Sequence, residues 1–232
     1  MKISRDFQRP FRYFFDQLLP PVIRDSWLFR LALYGIFRGD SRIVWNFRRD
    51  FGQMSDVEVQ NIYARLAKRA LKVQTDLNES CIKKIGHWAQ NSDVLDVGCG
   101  TGGLCTLIES KSYSGIDFVQ HESWSKLKAQ HISFFEGHVE RLPFEDDSFD
   151  LVVCAHVLEH VREPSIVLKE LVRCSRRKVI VVLPRERSYR SGFNLHVHQF
   201  QYPWEVERLL NTEGMKFVVE EVDGDFYAEL DL

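Results

Sequence analysis

Long hydrophobic runs are missing from this chain of 232 residues. The apolar segment Ser26 to Arg38 is interrupted by Arg30 and falls short of the roughly 20 apolar residues that a membrane-spanning helix needs. Cysteine is scarce. The five present are odd in number and include no C-x-x-C pair, which argues against a disulfide framework and a cysteine zinc site and for a reducing, cytoplasmic compartment. A signal peptide is not expected, because Arg5, Arg9 and Arg12 interrupt the start before an apolar h-region can form. Internal repeats and low-complexity tracts are absent. What remains is globular material: 44% hydrophobic residues can bury a core, and the natural partition is an N-terminal extension over 1–54 and one domain over 55–232.

The net charge of −2 is unevenly spread. Residues 1–50 hold ten Lys or Arg against five Asp, a surplus of +5 that leaves −7 for the rest, and they carry eleven of the 29 aromatic side chains. Such a start suits a membrane interface, reached from the inner face, or a lid over a pocket, or a surface packed on the domain itself. Within it, Ser26 to Arg38 reads as a helix with Asp25 or Ser26 as N-cap and Gly39 as its stop. Nucleic acid is not an expected partner, because the basic residues are interleaved with aliphatics rather than grouped in a stripe.

The most informative stretch is Val94-Leu95-Asp96-Val97-Gly98-Cys99-Gly100-Thr101-Gly102-Gly103, an apolar strand ending in a glycine-dense turn before a helical segment near 102–110. Glycines tolerate positive φ and, lacking Cβ, let a ligand lie against the backbone near a helix N-terminus. The dinucleotide fingerprint is G-x-G-x-x-G with a later acid. Here the glycines run G-x-G-x-G-G and Asp96 precedes them, which disfavours a nicotinamide oxidoreductase. The pattern resembles the first motif of class I S-adenosylmethionine-dependent methyltransferases. Three further segments follow in that family's order: Ser114-Gly115-Ile116-Asp117, then Phe134 to Phe144, then Ser148 to Val161.

The resemblance implies S-adenosylmethionine as cofactor. It places Asp96, Gly98, Cys99 and Gly100 at the glycine turn, Asp117 on the ribose hydroxyls with Phe118 beside it, His138 and Val139 along the adenine, and Ala155 at the end of the fourth strand. A carboxylate suits the ribose because it accepts from two donors at once. His138 stands where the family usually carries an acid. It either accepts the adenine amino bond through a neutral nitrogen, stacks on the ring, or faces solvent while the backbone near Val139 does the work.

The resemblance also implies the chemistry. An activated methyl needs a nucleophile held in line and, for a hydroxyl, a proton acceptor, most often imidazole. His156 at the fourth strand's end is the first candidate and His196 the second; Glu159 and His160 are expected to cap the loop. His156-Val157-Leu158-Glu159-His160 also spells the H-x-x-E-H of some zinc hydrolases, but it abuts a strand rather than lying on a helix, and no metal is expected. Ala155-His156-Val157-Leu158 stands where nitrogen and nucleic-acid methyltransferases often carry an Asn-Pro-Pro-Tyr type tetrapeptide. This favours a hydroxyl-type acceptor on a small molecule, lipid precursor or glycan; the alternative is a SAM-binding partner or regulator without turnover.

The expected fold is α/β, a doubly wound, mostly parallel Rossmann-like sheet with a terminal antiparallel hairpin and a helical N-terminal extension. Strands near 93–97, 113–117, 132–135, 149–154 and 178–183 alternate with helices near 102–110, 121–129, 164–175 and 203–213. Two helices precede them, one from the Ser55/Glu58 capping box to about Leu71 and one over Leu77 to Trp88.

Overall fold

The computed structural model describes residues 18–24, 26–29, 31, 41–67, 74–188, 194–211 and 215–232. Seven strands form one sheet: β1 (Asp93–Val97), β2 (Ser112–Asp117), β3 (Ile132–Glu136), β4 (Phe149–Ala155), β5 (Ser175–Pro184), β6 (Lys216–Val222) and β7 (Asp225–Asp231). Their order is β3-β2-β1-β4-β5-β7-β6. The first five run parallel, and β7 pairs antiparallel with both β5 and β6. Val94, Leu95 and Val97 of β1 and Val179 to Leu183 of β5 are all buried, the continuous apolar reading of strands covered on both faces. Between β1 and β4 the order reverses direction, and in open α/β sheets ligands enter the crevice beyond such a switch point.

Among the described residues from 41 onward the α-helices are α1 (Ser41–Asp50), α2 (Asp56–Ala67), α3 (Glu79–Ala89), α4 (Trp124–Leu127), α5 (Pro164–Cys174) and α6 (Pro203–Leu210), and a single helical turn, Pro21–Arg24, precedes them. Helix α3 begins where the Asn78 side chain accepts from Cys81 N at 2.8 Å, so its cap lies one residue beyond the expected Leu77 start. Cys81, Ile85 and Ala89, four residues apart, bury one stripe against Val94, Tyr113 and Tyr227. On the opposite face α5, opened by Pro164 at its first turn, packs Val167, Leu168 and Leu171 with Val152, Val181 and α6 residues Val206 and Leu210.

Two expected helices are shorter than their sequence pattern. The segment near 102–110 holds only a 3₁₀ turn over Gly103–Thr106, because Gly102 is left-handed at φ 76 and Gly103 lies against the Gln74 backbone. The segment near 121–129 is helical only over Trp124–Leu127. The Ser55/Glu58 box forms as expected, Glu58 N donating to Ser55 Oγ at 3.3 Å and Ser55 N to Glu58 Oε2 at 2.8 Å, but the helix end near Leu71 lies outside the described residues.

A third apolar cluster joins the region before residue 55 to the rest. Val44, Phe47 and Phe51 pack with Leu195. The Arg162 guanidinium donates to the carbonyls of Phe51, at 2.6 Å, and Met54. Further toward the N-terminus, Ser26 Oγ accepts from Phe29 N at 3.3 Å, the bond an N-cap makes. The expected stop at Gly39 lies outside the described residues. Among those residues, no helix is long and apolar enough to cross a membrane.

Candidate functional site

The turn after β1 is bonded tightly into the sheet. Gly98 N and Cys99 N both donate to Ile116 O, at 2.8 and 3.0 Å. Gly98, Gly100 and Gly102 have φ of 75°, 51° and 76°, values that L side chains rarely adopt. The space around them differs sharply. A Cβ on Gly98 would lie 2.2 Å from Val157 Cγ2, one on Gly102 would lie 2.5 Å from Phe134, and one on Gly103 would overlap Gln74 O. A Cβ on Gly100 would meet nothing within 4 Å. The first three positions are glycine because protein fills the space; Gly100 opens onto room for a ligand.

Asp117 borders that opening. Its carboxylate accepts from Gly100 N at 2.9 Å and from Val119 N at 3.1 Å, and burial pushes its pKa up. The neighbouring Phe118 carbonyl accepts from Gln60 Nε2 at 2.6 Å, and the Phe118 ring meets Tyr63 edge-on at 5.4 Å, so α2 sits over the end of β2. Trp124 Nε1 donates to Gly100 O at 2.9 Å while its ring stacks on Phe134 at 5.3 Å. Asp96 is buried and accepts from the Tyr113 hydroxyl. Burial lifts its pKa to about 7, with Tyr113 opposing and Asp117 adding to the rise. Burial likewise raises the Cys99 thiol. In the segment after β3, Val139 is buried and His138 exposed.

His156 follows Ala155 across the crevice. Its backbone N donates to Val182 O at 2.9 Å and its φ is 56°, a left-handed geometry uncommon for a residue with a side chain. The ring lies between two buried acids, Nδ1 at 3.4 Å from Glu159 Oε1 and Nε2 at 3.7 Å from Asp225 Oδ2. The backbone N–H groups of Val197 and His198 donate to Glu159 O at 2.8 and 3.1 Å. His196 is thereby brought beside His160, their rings edge to face at 4.6 Å. The two histidines singled out from sequence thus belong to one polar cluster.

That cluster holds residues the sequence pattern did not indicate. Glu186 Oε2 lies 2.7 Å from His196 Nδ1, and Asn194 Nδ2 donates to Glu186 Oε1 at 3.0 Å. Tyr63 Oη lies 2.8 Å from His160 Nδ1. Arg48 of α1 donates to His196 O at 2.9 Å and Gln199 Oε1 at 2.8 Å. Asn78 Nδ2 donates to Asp225 Oδ2 at 2.9 Å. Glu159 is fully buried; burial alone would raise its pKa, but the imidazoles of His156, His160 and His196 outweigh it and hold the pKa below the usual value. Burial, aided by His196, lowers His160 to about 4. His198 is turned away, its Nε2 lying 2.9 Å from Val161 O.

Residues 95–183 match the methyltransferase domain family. Sequence relatives include ajmaline N-methyltransferase of Rauvolfia serpentina, 27% identical over 101 residues that make up 39% of this chain and 35% of the relative. The phthiotriol/phenolphthiotriol dimycocerosates methyltransferase of Mycobacterium tuberculosis is 37% identical over 95 residues, 36% of this chain and 33% of that one. The chain spans about a third of the length of these curated relatives. The fold is that of the 1,6-didemethyltoxoflavin-N1-methyltransferase of Burkholderia thailandensis, solved with S-adenosylhomocysteine: TM-score 0.57, 16% identity, 79% of this chain and 86% of that one. Residues 95–183 thus resemble a methyltransferase domain, and the sheet has the Rossmann-like fold of S-adenosylmethionine-dependent methyltransferases. Its residues fit that cofactor, since Gly100 leaves open space beside a strand-end carboxylate at the switch point.

Proposed function

We propose that this domain binds S-adenosylmethionine and methylates a hydroxyl-type acceptor on a small molecule, a lipid precursor or a glycan. The observation that carries the reading is the opening at Gly100 beside Asp117. When bound, the cofactor supplies a methyl already activated on a sulfonium. Asp117 has acceptor capacity beyond its two backbone bonds and takes the ribose hydroxyls. Asp96, Gly98, Cys99 and Ala155 shape the floor beneath the cofactor, and Phe118, His138 and Val139 wall the adenine. His156, with His196 next in line, accepts the proton of the acceptor hydroxyl, and Glu159 and Asp225 steady the imidazolium that results.

Transfer of labelled methyl from the cofactor into metabolite, lipid or glycan extracts tests this directly. Label should enter a fraction with a hydroxyl-type acceptor and be lost in the His156→Ala/His196→Ala variant. Methylation of nitrogen would correct the acceptor, as the name of the Rauvolfia relative suggests. Cofactor binding with no transfer to any fraction would favour a non-catalytic SAM-binding protein.

The region before residue 55 divides into two roles in this proposal. Residues 41–54 pack on the loop carrying His196 and act as a lid. Leu18, Val22, Trp27, Leu28 and Leu31 expose large apolar side chains and serve as a peripheral contact with an anionic bilayer at the cytoplasmic face. Co-sedimentation with anionic vesicles, reversed by salt and lost on deleting residues 1–40, is the expected result. Absence of vesicle binding would refute the membrane contact.

A further inference from the structure

We infer that Glu159, His160 and His196 form a site for one divalent first-row transition ion of the zinc type. One ligand atom from each of the three lies within 4.8 Å of the others, so a small side-chain adjustment reaches metal–ligand distances of about 2.0–2.2 Å. Glu159 has no solvent exposure, and neither of its carboxylate oxygens has a hydrogen-bond partner. Its nearest imidazole nitrogens stand at 3.4 Å in His156 and 4.0 Å in His160, ion-pair contacts rather than hydrogen bonds. A buried carboxylate without hydrogen bonds is costly. A cation placed between the three groups gives that carboxylate a partner.

The imidazoles are set up as ligands. Glu186 Oε2, an acceptor when ionised, lies 2.7 Å from His196 Nδ1, so that nitrogen carries the proton and Nε2 presents its lone pair. Similarly, His160 Nδ1 faces Leu195 O at 3.2 Å and Tyr63 Oη at 2.8 Å, which leaves its Nε2 for the ion. Outer partners of this kind fix the tautomer and orientation of metal-binding histidines. The two strands of chain that supply the ligands are also tied together, through Glu159 O to Val197 N and His198 N and through Arg48 to His196 O. Two imidazoles and one carboxylate suit zinc, cobalt or iron rather than calcium or magnesium. The arrangement is not the helical H-x-x-E-H site: His156 is directed to Glu159 and Asp225, and the third ligand comes from His196 instead.

Where the methyl-transfer reading holds, this site assigns His196 to the ion and leaves proton acceptance to His156. Ion binding itself requires neither cofactor nor acceptor. The test uses the full chain, stripped with chelator and titrated separately with Zn²⁺ and Co²⁺. One ion per chain after dialysis is expected, with visible ligand-field absorption from Co²⁺ and a rise in melting temperature on adding Zn²⁺. The isosteric Glu159→Gln and the variant His196→Ala should each weaken affinity more than about 100-fold, and Glu186→Gln about 10–100-fold, the range for an orienting partner. If a ligand variant unfolds, the wild-type stoichiometry, cobalt spectrum and Glu186→Gln series still decide. No stoichiometric uptake by the wild type, or uptake unchanged in Glu159→Gln and His196→Ala, would overturn the site.

Discussion

The backbone N–H of Gly100 donates to the carboxylate of Asp117, 17 residues further on, at 2.9 Å. The turn after β1 and the end of β2 are therefore one unit, and the only glycine of that turn with open space at its Cβ position is the one held by the candidate ribose ligand. Backbone geometry and cofactor binding should respond together when either residue is changed.

Gly98 makes the opposite case, since it borders Val157 rather than open space. Gly98→Ala should destabilise the domain by about 1–3 kcal/mol through overpacking and positive φ. Pairing it with Val157→Ala should recover the steric part, giving non-additive losses in denaturant unfolding. Simple additivity would show that Val157 does not set the requirement for glycine.

Asp96 should make stability pH-dependent. Burial raises its folded pKa to about 7, above the roughly 3.9 of an unfolded aspartate. The folded state then binds the extra proton between those values, so this group's contribution is full below about pH 4 and is lost as pH rises through 7. Asp96→Asn keeps an acceptor for Tyr113 and should flatten the fall in melting temperature between pH 5 and pH 8. Identical pH profiles for variant and wild type would contradict this.

Phe47 lies on α1 with 1% of its surface exposed, packed against Phe51 and Leu195. Phe47→Ala should cost about 3–5 kcal/mol in unfolding free energy, as buried phenylalanines do. A cost below about 1 kcal/mol would mean that residues 41–54 are only loosely attached.

Much of this architecture can be read from sequence because its causes are local. Strand β1 has the bounds its apolar run implies, and the hairpin turns on Asp223-Gly224, both at positive φ, as a two-residue hairpin turn requires. The helix near 102–110 misleads, since its pattern ignores the Gln74 backbone pressed against Gly103 from outside the segment. In the site, Asp117 and the glycines are legible as a motif, whereas Tyr63 meets His160 across 97 residues and Arg48 meets His196 across 148. Periodicity carries no information about such pairs. They arise when β4, the loop at 194–200 and the first helices converge on one end of the sheet.

Replacing His156 by Gln should lower turnover by roughly 10²–10⁴-fold, the usual worth of a positioned base, while cofactor affinity stays near the wild-type value. Steady-state rates on the acceptor found by label transfer, paired with binding measurements, check this. Lost affinity with unchanged turnover would move His156 from proton acceptor to cofactor wall.

Calorimetric titration of the purified chain with S-adenosylhomocysteine and, in parallel, with NAD tests the central claim most directly. The wild type should bind S-adenosylhomocysteine at one site per chain and ignore NAD. Asp117→Ala and Gly100→Val, both checked for folding by circular dichroism, should each weaken binding more than about tenfold, about 1.4 kcal/mol. A wild-type chain that binds NAD and leaves S-adenosylhomocysteine unbound would contradict the claim.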